Sequence, residues 1–182
     1  MKATQTLIHE HEVITQGLAV LDAMATRLAR GEGVPAQDLE QLLQFFSVFA
    51  DGCHHAKEER ILFPALEAAG MPRDGGPIAV MLGEHAEGRV LIGRMRREVS
   101  AVSSDAEARR RFANAAREYA ALLEQHLTKE NEVLFPAADT MLTDATDREV
   151  TAAFDRHEAL EMGAGAHERF HRMLDELAKR HL

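Results

Sequence analysis

Eleven residues occur twice in this chain, as HHAKEERILFP from His54 to Pro64 and as HLTKENEVLFP from His126 to Pro136. Each copy reads His-x-x-x-Glu and closes on Leu-Phe-Pro at the same offset, 72 residues apart. Residues four apart share a helix face one turn up, so each His and its Glu point the same way. The proline then disfavours helix for the residue before it and ends or kinks the segment. A chain that writes such a unit twice is constrained to bring two polar helix faces together inside an apolar fold.

The rest of the chain supplies helices to pack against these two. Periodicity predicts four long helical segments. The first covers about residues 4–30 with the stripe Leu7, His11, Ile14, Leu18, Leu21, Ala25, Leu28, and Gly31 ends it. The second covers about 35–63, with Leu39, Leu43, Phe46, Ala50, His54, Glu58 and Leu62 inward. A short turn follows and stops at Gly70, and residues 71–76 (MPRDGG) form a loop. The third begins near Pro77 and carries Ile78, Leu82, His85, Gly88, Ile92, Met95, Val99 and Val102. The fourth follows a cap at residues 103–105 and carries Ala108, Phe112, Ala115, Tyr119, Leu122, His126, Glu130 and Val133. A fifth segment opens on Thr146-x-x-Glu149, which reads as a capping box, and is interrupted at residues 163–165 (GAG). Alternating patterns are absent. The expected fold is all-α: an up-down-up-down four-helix bundle over residues 1–140 with a C-terminal helical appendage over 141–182 packed on it.

Each of the four stripes holds one histidine, His11, His54, His85 and His126, and the second and fourth add Glu58 and Glu130. A buried polar group left unsatisfied costs about 1–3 kcal/mol, and a buried carboxylate several kcal/mol. Six together cost on the order of 10 kcal/mol, comparable with the roughly 5–15 kcal/mol of net stability of a domain. A single such residue would read as a satisfied core histidine. Six require compensation, and a metal provides it, since imidazole nitrogen and carboxylate oxygen are ligands for Fe, Zn, Mn or Cu. Four imidazoles and two carboxylates suit a dinuclear site in which each metal takes two histidines and the glutamates bridge. The order His-x-x-x-Glu differs from the Glu-x-x-His of ferritin-like di-metal bundles.

Composition narrows the surroundings. Net charge is −9, which argues against nucleic acid or an anionic membrane as partner. No apolar run approaches the roughly 18 residues of a membrane span, and the first residues lack a signal-peptide core. One cysteine, Cys53, cannot form an internal disulfide, and a reducing, cytoplasmic compartment is expected.

His11, His54-x-x-x-Glu58, His85 and His126-x-x-x-Glu130, with Glu-Glu-x-x-Leu-Phe-Pro after His54, resemble the hemerythrin-like HHE cation-binding domains over about residues 5–140. The resemblance implies two iron ions with an oxo or hydroxo bridge (Zn or Mn being alternatives), held in a four-helix bundle. It also implies a partner that is a small diatomic ligand, O₂ or NO, or peroxide, in binding, in oxygen or iron sensing, in iron handling, or in a peroxidase- or catalase-like reaction. A structural metal-binding bundle is a further alternative, and a homodimer is compatible with all of them. Animal hemerythrins place a second histidine four residues along the third helix, where this chain has Arg89, and use His-x-x-x-x-Asp on the fourth. That leaves a fifth nitrogen ligand unassigned. His167, on the stripe of the last segment, is the candidate to supply it.

The remaining polar residues are weighed more lightly. His55, one step round the helix from His54, is expected at an interface or behind the ligands. Glu59 and Glu132 are expected to face solvent or to orient ligand histidines from behind, and Glu10 and Glu84, which precede ligand histidines, could do the same. Tyr119, two turns before His126, could donate a proton. Residues 167–171 (HERFH) match the zinc-protease signature, but a chain rich in His and Glu produces that pattern by chance, and no substrate cleft is indicated.

Overall fold

The computed structural model describes residues 1–163 and 165–182. Among them every regular element is helical. α1 (Lys2–Ala29) buries Leu7, His11, Ile14, Leu18, Leu21, Ala25 and Leu28 as its stripe requires. Gly31 at φ +78° turns the chain, and the amide of Glu32 donates back to the Arg27 carbonyl at 2.9 Å.

α2 (Ala36–Phe45) does not continue to the proline as a uniform α-helix. Residues Phe46–His55 and Glu58–Leu62 are π-helical, and α3 (Phe63–Ala68) follows. The same change occurs in the second copy. α5 (Ala106–Lys129) passes into π-helical Glu130–Leu134 before α6 (Phe135–Met141). In both copies the phenylalanine amide donates to the carbonyl of the glutamate five residues back, Phe63 to Glu58 and Phe135 to Glu130. The following proline has no N–H, and its ring crowds the carbonyl four residues before it. A wide turn relieves that crowding without breaking the helix. It also displaces the inward face: Val133, expected in the stripe, is exposed, and Leu134 is buried in its place.

α4 (Pro77–Glu98) packs along α5, and α1 packs on α5 as well. α7 (Asp144–Glu161) and α8 (Ala166–His181) lie against α1 and the second helical segment. The start of α7 corrects the expected capping box. The Thr143 hydroxyl accepts the Thr146 amide at 3.2 Å, so the helix begins one turn before the Thr146–Glu149 pair. The interruption predicted at residues 163–165 lies partly outside the described residues. Its two glycines, Gly163 and Gly165, both have φ near +70°.

The apolar core is split in two. One cluster gathers Ile14, Leu18, Leu21, Phe45, Phe46, Phe112 and Leu174. The other gathers Leu7, Leu62, Phe63, Leu66, Phe135 and Phe154. The layer between them is polar.

Candidate metal centre

That layer consists of His11, His54, Glu58, His85, His126 and Glu130, none more than 3% exposed. α1, α4, α5 and the π-helical segment Phe46–His55 each contribute one imidazole, and the two glutamates open the two short π-turns. The structure brings together all six residues singled out on the inward stripes.

The imidazoles form two pairs. His11 Nε2 lies 3.1 Å from His54 Nε2, and His85 Nε2 lies 3.1 Å from His126 Nε2. Behind each ring, Nδ1 faces an oxygen: Asn131 Oδ1 for His11 (2.9 Å), Glu10 Oε2 for His54 (2.9 Å), Glu59 Oε1 for His85 (2.8 Å) and Glu84 Oε2 for His126 (2.9 Å). These acceptors draw the proton to Nδ1 and leave the Nε2 lone pair forward. Each pair therefore turns two lone pairs toward one point. Metal–nitrogen bonds of about 2.0–2.1 Å let two nitrogens at that spacing share a cation.

The carboxylates span the pairs. Glu130 reaches His11 Nε2 with Oε2 and His126 Nε2 with Oε1, both at 3.2 Å. Glu58 Oε2 lies 3.4 Å from His85 Nε2 and 3.8 Å from His54 Nε2. All four carboxylate oxygens are buried without a hydrogen-bond donor. Taken by themselves, the six side chains can balance only by keeping protons. Burial and the neighbouring Glu130 push the Glu58 carboxyl well above its ordinary range, whereas His126 and His11 hold Glu130 near 2 against burial. Burial takes His54 down to about 4, while His85, despite its burial, is carried up to about 9 by the Glu58 carboxylate beside it and by its bond to Glu59. Cations can replace those protons at the same atoms, and the donor set fits a pair of them.

A family model for the hemerythrin HHE cation-binding domain matches residues 2–138. The chain belongs to that family. Among its relatives, an uncharacterized protein of Mycobacterium tuberculosis is 28% identical over 177 residues, covering 97% of this chain and 68% of that protein. The iron-sulfur cluster repair protein YtfE of Cronobacter sakazakii is 30% identical over 141 residues, and that of Escherichia coli O1:K1 / APEC is 28% identical over 137. Both alignments cover 72% of this chain and 62% of the repair protein.

The supports behind this hemerythrin-family centre cross between helices. Glu10 and Glu84 precede His11 and His85, yet they bond His54 and His126 on the neighbouring helices. Each is held in turn by a lysine. Lys57 Nζ donates to Glu10 at 2.5 Å and to Glu158 of α7 at 2.8 Å, and Lys129 bonds Glu84. Glu59 bonds both His85 and Arg89 and is held near 2, chiefly by those two bonds working against its partial burial. Glu132 is exposed, one of the two placements expected for it, and Asn131 beside it orients His11.

His167 is not among the six. Its Nε2 lies 3.2 Å from Glu158 Oε1, and its ring edge meets Phe49. Glu10, Cys53, Glu158 and His167 come close enough to suggest a second cation site, but the Lys57 ammonium already serves Glu10 and Glu158 there. His55 sits behind the ligands, as expected for it. It is buried, and its ring stacks on His85 at 3.9 Å. The π-helical segment carries more residues per turn, which narrows the angle between His54 and His55 and brings both inward. Beside it a cavity of about 260 Å³ is bordered by Asp51, His55, His85, Arg89 and Tyr119. Burial pushes the Tyr119 phenol far up, so it keeps its proton.

Proposed function

We propose that this chain is a non-haem di-iron protein whose centre engages a small ligand, O₂, NO or peroxide, in sensing or handling oxygen or iron. Its metal ligands are His11 and His54 for one ion, His85 and His126 for the other, and Glu58 and Glu130 as bridges. The observation that carries this reading is that both carboxylates span both histidine pairs with no hydrogen-bond donor on any of their oxygens. The choice of iron over zinc or manganese is supported by family membership and by relatives named for iron-sulfur cluster repair. Iron there would supply one-electron redox chemistry and positions open to a small ligand.

The protein's own part is to hold the Nε2 lone pairs forward through the Nδ1 acceptors, to exclude bulk water with two apolar clusters, and to admit small molecules beside His85. The reading includes an up-down-up-down bundle over residues 1–140, an appendage over 141–182, and a cytoplasmic location. No helix of the described residues is long and apolar enough to cross a membrane. A peroxidase- or catalase-like reaction is the second reading, favoured by the cavity that protonated Tyr119 and His85 both border.

The absorption spectrum of purified protein separates these readings. Near-ultraviolet bands that change on adding azide support the di-iron centre. Oxygen evolution from peroxide selects the second reading. A colourless protein with stoichiometric zinc contradicts both and leaves a structural metal bundle.

A further inference from the structure

The two halves of the centre repeat each other closely enough for a single mismatch to stand out. At an offset of 72, His54, Lys57 and Glu58 correspond to His126, Lys129 and Glu130; at an offset of 74, Glu10 and His11 correspond to Glu84 and His85. The supports behind the rings match in place, though not all in kind. Glu10 accepts from His54 and Glu84 from His126, each at 2.9 Å, and each carries a lysine. The other two rings are backed by residues 72 apart. Glu59 Oε1 accepts from His85 Nδ1 at 2.8 Å, and Asn131 Oδ1 accepts from His11 Nδ1 at 2.9 Å. The two bonds are alike in length, yet one acceptor is a carboxylate and the other a neutral amide.

The surroundings do not restore the balance. Arg89 pairs with both Glu59 and Asp51, so two carboxylates and one guanidinium leave one net negative charge behind His85. At the same offsets the other half has Asn131, Leu123 and Thr15, which carry no charge. Against its partial burial, bonds to His85 and Arg89 hold Glu59 near 2, so it is a full anion at neutral pH. A carboxylate accepting an imidazole N–H pushes electron density into the ring and makes the opposite nitrogen a stronger donor; an amide oxygen does so less. His85 and His126 each have a carboxylate behind them, whereas His11 and His54 have one amide and one carboxylate. Within each pair the two Nε2 atoms lie 3.1 Å apart, so the difference falls on a single cation.

We propose that Asn131 makes the His11–His54 position the weaker of two cation sites, so that the centre fills in order: His85 and His126 take the first ion, and His11 and His54 the second. Asn131 is a positioning residue, acting through the His11 ring and touching no ion itself. One ion is thereby held firmly and the other is exchangeable. The inference rests on the reading of a two-ion centre but not on the choice of iron, because any divalent cation that accepts imidazole nitrogen meets the same unequal pairs.

The test is a zinc titration of the metal-free full chain, with the histidine ring nitrogens followed by NMR and the two affinities by calorimetry. In the parent the first equivalent should shift the His85 and His126 rings and the second the His11 and His54 rings. The two dissociation constants should differ by about tenfold or more, the usual weight of such a support. N131D keeps the size and the acceptor but supplies the missing carboxylate. It should tighten the second step about tenfold and bring the two steps together, leaving the first where it was. E59Q makes the converse change and should weaken the first step by a similar factor. If Asn131 only holds the ring in place, N131D leaves both affinities unchanged, and that result overturns the proposal. Zinc that reaches His11 and His54 first overturns it as well. Two zinc ions bound in the expected order by a chain that takes up no iron would support the proposal and contradict the iron reading alone. A chain that never holds two ions would contradict both.

Discussion

The two halves of the centre use the same parts and differ in how they are enclosed. Around His11 and His54, Glu10 is held by Lys57, which is fully buried and tied on to Glu158 of α7. Around His85 and His126, Glu84 is held by Lys129, whose side chain is 41% exposed. The first half is sealed by α7, while the second opens to the cavity at His55. Duplicated helix pairs thus provide two equivalent cradles, and a few unmatched residues decide which one meets the outside.

The largest expected effect comes from the lysines. Lys57→Ala leaves Glu10 as a buried carboxylate without its cation and should cost about 3–5 kcal/mol in urea unfolding of the metal-free protein. Lys129→Ala, at a pair whose ammonium is open to solvent, should cost less, about 1 kcal/mol. Equal losses would break the distinction between a sealed and an open half.

A middle-sized effect comes from making the halves alike. His55→Leu copies Leu127 and removes two unsatisfied nitrogens, so the metal-free protein should gain about 1–3 kcal/mol in the same measurement. Loss of stability would mean that His55 already has partners.

These contrasts bear on what the sequence could reveal. The six central residues were legible because a helix puts positions four apart on one face, and because apolar stripes name that face whichever helix carries it. The Leu-Phe-Pro endings pointed to a disturbance, but periodicity cannot say whether a proline breaks a helix or widens one turn. The widened turns moved Val133 outward and His55 inward. The crossed supports were hidden for another reason. Glu10 sits beside His11 in sequence yet serves His54, a choice made by how helices pack. The Thr146–Glu149 pattern looks like a cap in sequence, but the Thr146 amide is taken by the Thr143 hydroxyl one turn earlier. His167 lay on the right stripe but met Glu158 before it could reach the centre.

The smallest expected effect concerns that contact between α7 and α8. The ion pair with His167 holds the Glu158 carboxyl near 2, and the same pairing raises His167 above its ordinary range. A depressed carboxyl contributes stability above its unfolded value, lost as pH falls below about 4.5. A raised histidine contributes below its unfolded value, lost as pH rises past about 6.5. His167→Ala should therefore lower thermal stability most between about pH 4.5 and 6.5, by less than about 1 kcal/mol because both side chains are partly solvated. A deficit that does not vary with pH would show that the contact is only packing.

Native mass spectrometry with metal analysis of the full chain, beside His54→Ala and His126→Ala, tests the central claim most directly. The account predicts two metal ions per parent chain and a loss of metal in each variant, one variant for each half. A parent chain with no tightly bound metal, or metal content in both variants equal to that of the parent, would contradict it.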